Sequence, residues 1–140
     1  MSFCMLMDTK KYLQKWLDNY RSEDPSFLDE ILDDSVVFYS PVVFKPIEGK
    51  DLTKLYLMSA GQSFNMDRFK YTKEVIQDLY CVLEFETFID NVSVNGADII
   101  SWNNEGKIVE FKVMIRSIQA IEKVKEKMVE SLELFSNQGS

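Results

Sequence analysis

The sequence predicts an α+β fold in which helices and strands are largely segregated along the chain. Three observations carry this. Apolar residues recur at three- and four-residue steps up to Ser63 and again from Ile121, the period of helices buried on one side. Between about Arg68 and Arg116 the period shortens to two, the signature of strands. Polar turns at Asp90-Asn91 and Asn104-Glu105-Gly106 separate the last three strands as antiparallel hairpins require. The resulting order is α-α-β-α-β-β-β-β-α.

Each element has a local reason. Asp8 or Thr9 is placed to cap a first helix whose inner positions are Tyr12, Leu13, Trp16, Leu17 and Tyr20. Residues 1–7 precede it as an N-terminal tail. Pro25 suits the start of a short second helix burying Phe27, Leu28, Ile31 and Leu32, and Asp33-Asp34 ends it. Ser35 to Ser40 is rich in strand formers, and Pro41 and Pro46 make the following stretch irregular. A third helix runs from about Lys50 to Ser63 with Leu52, Leu55, Tyr56 and Ser59 on one side. Strands follow near 68–77, 79–89, 92–103 and 107–116. Ile121, Val124, Met128, Leu132 and Phe135 mark an amphipathic C-terminal helix, and residues 136–140 form a flexible polar tail. The 140 residues make one domain, 1–140.

Alternation assigns the faces. Val109, Phe111, Val113 and Ile115 point one way, with Glu110, Lys112, Met114 and Arg116 opposite. Cys81, Leu83, Phe85 and Ile89 share a face, while Glu84 and Glu86 lie on the other. Pairing those acids with the bases of the last strand would link the two strands across the ladder. The sheet therefore has one dry face and one mixed, charged face suited to a subunit interface.

Composition excludes several functions. The net charge of −7, from 16 Lys+Arg against 23 Asp+Glu, argues against a phosphate-tracking surface, so no nucleic-acid partner is expected. The chain has no histidine, which removes the usual base of catalytic triads and the common imidazole zinc ligand. Cys4 and Cys81 lie far apart with no CxxC pairing, so neither a disulfide scaffold nor a metal site is indicated. No cofactor motif is present. No apolar run approaches the ~20 residues of a membrane span, and the expectation is a cytoplasmic protein without membrane attachment.

One residue breaks the pattern. Gly96, Asp98, Ile100 and Trp102 share a strand face, with Ala97, Ile99 and Ser101 on the other, so Asp98 projects among apolar neighbours whichever way the strand is turned. Burial raises a carboxyl pKa, which suits an acid kept protonated near neutrality. Tyr12, Tyr20, Tyr39 and Tyr56 are candidate partners. Asp98 either performs chemistry or hydrogen-bonds within the wall. Trp16, Phe38 and Trp102 are core or pocket lining, and Cys81 reads as a small hydrophobe.

Three segments bring a family into view: Ser35-Val-Val-Phe-Tyr-Ser-Pro41 with Ile47-Glu-Gly-Lys50, Val94-Asn-Gly-Ala-Asp-Ile-Ile100, and Asn104-Glu-Gly-Lys-Ile108 with Phe111-Lys-Val-Met-Ile-Arg116. Through them residues 8–130 resemble the SnoaL-like branch of the nuclear transport factor 2-like superfamily, which includes the ketosteroid isomerases. The resemblance implies a curved antiparallel sheet wrapped around three helices, a cone-like α+β barrel with an internal pocket, and a homodimer formed through the outer sheet face. It places Asp98 where those isomerases keep a protonated aspartic acid in the oxyanion hole, as the candidate catalytic residue. Ser40 falls where they carry the aspartate base, and Trp16 near their oxyanion tyrosine. Their dehydratase relatives need histidine, and the epoxide-hydrolase set of two aspartates and an arginine finds only Asp98 here. The implied pocket is lined by Trp16, Tyr20, Phe38, Ser40, Tyr56, Trp102, Phe111 and Val113. The leading expectation is a domain binding a small, mainly apolar metabolite. The alternatives are an isomerase, cyclase or hydrolase-type enzyme using Asp98 as general acid or oxyanion donor, and a non-catalytic structural dimer.

Overall fold

A computed structural model of the chain describes residues 2–138, with side chains to Glu133. Its elements are α1 (Phe3–Asn19), α2 (Ser26–Ile31), β1 (Leu32–Tyr39), β2 (Ile47–Glu48), α3 (Lys50–Ser63), β3 (Lys70–Gln77), β4 (Tyr80–Ile89), β5 (Val92–Trp102), β6 (Ile108–Arg116) and α4 (Ile118–Gln138). The predicted order holds, with a two-residue strand, β2, added between the prolines and α3.

Several boundaries differ for identifiable reasons. The tail expected over 1–7 is helical from Phe3, because Ser2 rather than Asp8 or Thr9 is the N-cap, accepting from the Met5 amide at 3.1 Å. Thr9 instead sits inside α1, its hydroxyl 2.6 Å from the Asp78 carbonyl, and pins the helix to the β3–β4 turn. Leu32 to Asp34 belong to β1, not to the end of α2, since Leu32 pairs with Ile108. In α3 Leu52 is exposed, whereas Tyr56 and Ser59 turn inward as expected, joined by Thr53, Leu57 and Ala60. Residues 136–138 continue α4, whereas the side chain of Phe135 and residues 139–140 lie outside what is described.

The strands form one open, six-stranded sheet in the order β2-β1-β6-β5-β4-β3. It is antiparallel except at β1 and β6, which run parallel, so the sheet is mixed where an all-antiparallel one was expected. The order also explains why the expected ion pairs between β4 and β6 do not form: β5 lies between them. Glu86 instead faces Lys70 of β3 at 3.7 Å, and Lys112 approaches Glu110 on its own strand at 3.9 Å. A register shift between Ser101 and Trp102 marks a bulge at Val109 of β6. Past it Ile108, not Val109, turns fully inward, buried together with Phe111. The β5–β6 hairpin needs Gly106 at φ +80°, a conformation costly for any residue with a Cβ, and the Tyr12 ring packs directly on it.

The helices cover the inner face, and the core falls into two clusters. One gathers Leu13, Trp16, Phe38, Leu83, Ile100, Trp102 and Phe111 under α1, α2 and α3; the other gathers Phe69, Phe85, Ile89, Val94 and Val124 under α4. Phe38, Phe85 and Phe111 are at most 2% exposed, each contributing about 1.5–3 kcal/mol by burial. Tyr20, Tyr71 and Val113 border both clusters. The space between the clusters is where the site lies.

Candidate functional site

The parity of β5 sends Val94, Gly96, Asp98, Ile100 and Trp102 to the inner face. Gly96 lies opposite Phe85, and any Cβ there would come within 2.5 Å of the Phe85 ring and of the Met114 carbonyl. The missing side chain lets Phe85 lie flat over the strand, stacked on Phe69 at a centroid distance of 5.0 Å. One step along the same face, Asp98 is 6% exposed and borders a cavity at the seam of the two clusters. Counted as the space open to the centre of a water-sized sphere, this cavity measures about 80 Å³, more than a single water requires.

The cavity wall is built from every layer of the fold. Trp16 comes from α1 and Tyr20 from its C-cap, Phe38 and Ser40 from β1 and the residue after it, and Phe111 and Val113 from β6. Leu57, Ala60 and Gly61 of α3 and Val124 and Met128 of α4 also line it. Phe64, Phe69, Tyr71 and Phe85 complete the aromatic side. Two residues expected in the lining are elsewhere. Tyr56 lies over β1 with its ring 5.7 Å from Phe38, leaving Leu57 to face the cavity. Trp102 shares the face of Asp98 but sits four residues further along β5, about 13 Å away at strand rise. There it packs against Tyr12 at 6.5 Å in the first cluster.

Asp98 is held by Tyr71, which was not among the expected partners. The Tyr71 hydroxyl donates to Asp98 Oδ2 at 2.6 Å, and Trp16 Nε1 donates to the Tyr71 oxygen at 2.9 Å. Among the described residues the second carboxyl oxygen, Oδ1, has no hydrogen bond. Tyr12, Tyr39 and Tyr56 are outside the cavity wall, while Tyr20 lines it with its ring 5.0 Å from Tyr71. Parity in the 68–77 stretch contains a signal for Tyr71: Phe69 and Tyr71 are the aromatic pair two residues apart, on one face, beside the polar Arg68 and Lys70. What the spacing does not contain is that β4 alone separates Tyr71 from Asp98.

Burial dominates the electrostatics. It raises the Asp98 carboxyl from 3.8 to about 7, the Tyr71 hydrogen bond opposing the rise. Tyr71 is itself pushed well above its ordinary range by burial, with the adjacent carboxylate adding to the effect. Cys81, wholly buried on β4, has its thiol raised to about 12 by desolvation and behaves as packing. Ser40 Oγ accepts from the amides of Val42 and Val43 at 3.1 and 3.3 Å, which organises the loop after β1. Asp98 is thus the one carboxyl lining the cavity among the described residues. A protonated carboxyl at this position has a donor to offer, an ionised one only acceptors.

No protein-family model matches the sequence, and no curated protein matches it. Solved structures do. The chain is similar to a steroid delta-isomerase from Pseudomonas aeruginosa, with 26% identity over 95% of this chain and 96% of that one and a TM-score of 0.85. It is similar in fold to an NTF2-like protein of unknown function from Mesorhizobium loti, at 16% identity over 79% and 93% of the two chains and a TM-score of 0.69. SalBIII, an epoxide hydrolase/cyclase-like enzyme of pyran ring formation in the polyether salinomycin, shares the fold too, at 14% identity over 79% and 92% and a TM-score of 0.65. The helices packed on the inner face of a curved sheet, the cavity between them and these neighbours lead to one assignment: the chain belongs to the nuclear transport factor 2-like, ketosteroid isomerase-like superfamily.

Proposed function

We propose that this protein binds a small, mainly apolar molecule carrying one acceptor oxygen, held in the cavity with Asp98 as its principal polar contact. The observation behind this reading is a buried carboxyl on an apolar cavity wall with one oxygen tied to Tyr71 and the other unbonded. With Oδ2 accepting from Tyr71, the acid form carries its proton on Oδ1 and donates to a ligand carbonyl or ether. Such a bond is strong in a dry site and costly to leave unmade. A carboxyl titrating near 7 also makes the preference pH-dependent: carbonyl binding weakens as pH rises through that value. Cyclohexanone and cyclohexanol are suitable probes, read by thermal stabilisation, since a ligand that binds only the folded chain raises Tm. The ketone should stabilise the wild type at about pH 6 and lose its effect by about pH 8, beyond the carboxyl midpoint. Asp98→Asn should bind it independently of pH, and Asp98→Leu should not bind it. Absence of stabilisation by either probe at any pH would overturn the reading.

A second reading is proton-transfer catalysis, favoured by the likeness to a steroid delta-isomerase over nearly the whole chain. Here Asp98 serves as general acid or oxyanion donor in an isomerase, cyclase or hydrolase-type reaction. Ser40 supplies no base, because a hydroxyl does not accept a proton from carbon and its oxygen is engaged by two amides. Conversion of a β,γ-unsaturated ketone to its conjugated isomer by the wild type and not by Asp98→Leu would establish catalysis. Wild-type rates equal to buffer would exclude this isomerisation.

The proposal includes a homodimer through the outer sheet face, where Val75, Tyr80 and Met114 are 60%, 38% and 54% exposed among charged residues. Among the described residues no helix is long and apolar enough to cross a membrane. Two free thiols, Cys4 and Cys81, suit the reducing cytoplasm that we propose as its location.

A further inference from the structure

We infer that the cavity is the inner half of one continuous site, joined across Gly61 to the cleft between the α1–α2 turn and the end of α3. Such a site takes an elongated amphiphile, its apolar, acceptor-bearing end at Asp98 and its hydrogen-bonding end in the cleft. This rests on the reading that the cavity binds a ligand, and extends it to the ligand's shape and class.

The two spaces share a wall. Trp16, Tyr20, Leu57, Gly61, Phe64 and Met66 line both. By the measure that gives about 80 Å³ for the cavity, the cleft offers about 780 Å³, so a molecule longer than the cavity has somewhere to extend. Their chemistry differs. The cavity lining is overwhelmingly apolar, whereas Arg21, Ser22, Glu23, Gln62 and Asp67 border the cleft. That set mixes donors with acceptors and both charge signs, which fits hydroxyl or amide groups better than a single formal charge.

Gly61 is the independent observation. It sits in the last turns of α3, is exposed, and still borders the inner cavity. A Cβ built on it would meet nothing within 4 Å. Packing therefore does not explain a residue that costs a helix about 1 kcal/mol relative to Ala. An open lane over the helix backbone explains it. The contrast is Gly96, where a Cβ would strike neighbours at once. Arg21 frames the same lane from the other side. Its Nε donates to Tyr20 Oη at 3.0 Å and its Nη1 to the Met66 carbonyl at 2.7 Å, with Nη2 donating to the Phe69 carbonyl. These bonds tie the end of α1 to the 66–69 segment and keep the two walls at a set spacing.

The test is a homologous series of linear methyl ketones bound to wild type, Gly61→Ala and Gly61→Leu. In a continuous site each added methylene buries about 0.8 kcal/mol of apolar surface, or roughly a fourfold gain in affinity. In the wild type the gain should continue into chains longer than the cavity. A terminal hydroxyl on the longest member should then preserve its affinity. In Gly61→Leu, which fills the lane, affinity should stop rising with chain length. Gly61→Ala should be at least as stable as the wild type by urea unfolding, confirming that nothing packs there. Equal length dependence in wild type and Gly61→Leu overturns the inference. If no ketone binds at any length, the cavity reading fails and the inference falls with it.

Discussion

Asparagine at position 98 separates the charge of the buried carboxyl from its shape. Asn keeps the volume of Asp and can still accept from Tyr71, but it cannot ionise. In the folded wild type the carboxyl titrates near 7, against 3.8 ordinarily. Between those values the folded chain holds a proton that the unfolded chain has released. Stability therefore falls as pH rises through this window, being full below the lower value and lost above the upper one. At about 1.4 kcal/mol per pKa unit, the whole effect is about 4 kcal/mol, of which about 3 kcal/mol falls between pH 5 and pH 8. Urea unfolding of both proteins at several pH values in that range measures it, because other carboxyls titrate alike in the two chains and cancel in the difference. With no histidine in the chain, little else changes charge there. Asp98→Asn should gain on the wild type by that amount as pH rises. The carboxyl carbon of Asp98, followed by NMR, should show a midpoint near 7 in the wild type, with the signal absent from the variant. A difference in stability that stays flat from pH 5 to pH 8, or a midpoint at or below about 4, would refute the dry-site argument.

Other expectations follow from single contacts. Tyr71→Phe removes the hydroxyl that Trp16 donates to and that donates to Asp98, at a cost of about 1–3 kcal/mol for each buried group left unpaired. Because that hydrogen bond opposes the rise, the Asp98 midpoint should climb above its wild-type value, and an unchanged midpoint would contradict the assignment. Gly96→Ala should destabilise by about 1–3 kcal/mol in urea, since the added carbon meets backbone and the Phe85 ring at 2.5 Å. Lys112→Glu places an acid beside Glu110, in place of a cation that lies 4.7 Å above the Tyr39 ring. It should weaken dimerisation in sedimentation, and a wild type monomeric at micromolar concentration would dispose of the dimer.

How far the chain could be read without its structure depended on distance along the sequence. Asp98 was legible as a carboxyl among apolar neighbours because both faces of its strand are apolar there, and β5 keeps its parity from Val94 to Ile100. Ser2 was missed as the cap of α1 because Asp8 and Thr9 are equally good capping residues and the stretch between offers no breaker. Val109 was assigned inward because alternation assumes unbroken pairing, and a bulge opposite Ser101–Trp102 shifts the parity by one. The expected ion pairs between β4 and β6 failed for another reason: spacing in sequence carries no strand order, and β5 intervenes.

The sequence by itself determined the order of the principal elements, the faces of β4 and of β6 beyond its bulge, and the presence of one carboxyl among apolar neighbours. These are consequences of backbone periods of two and about 3.6, which operate within a single element. Only the tertiary structure decided that Tyr71 holds Asp98, that Trp102 and Tyr56 stand away from the cavity, and that Gly61 lies open between cavity and cleft. Those facts depend on strand order, on register and on how two core clusters meet. Two aromatic residues with the same local pattern can end in packed core or in cavity wall, because what each one touches is set by partners many residues away.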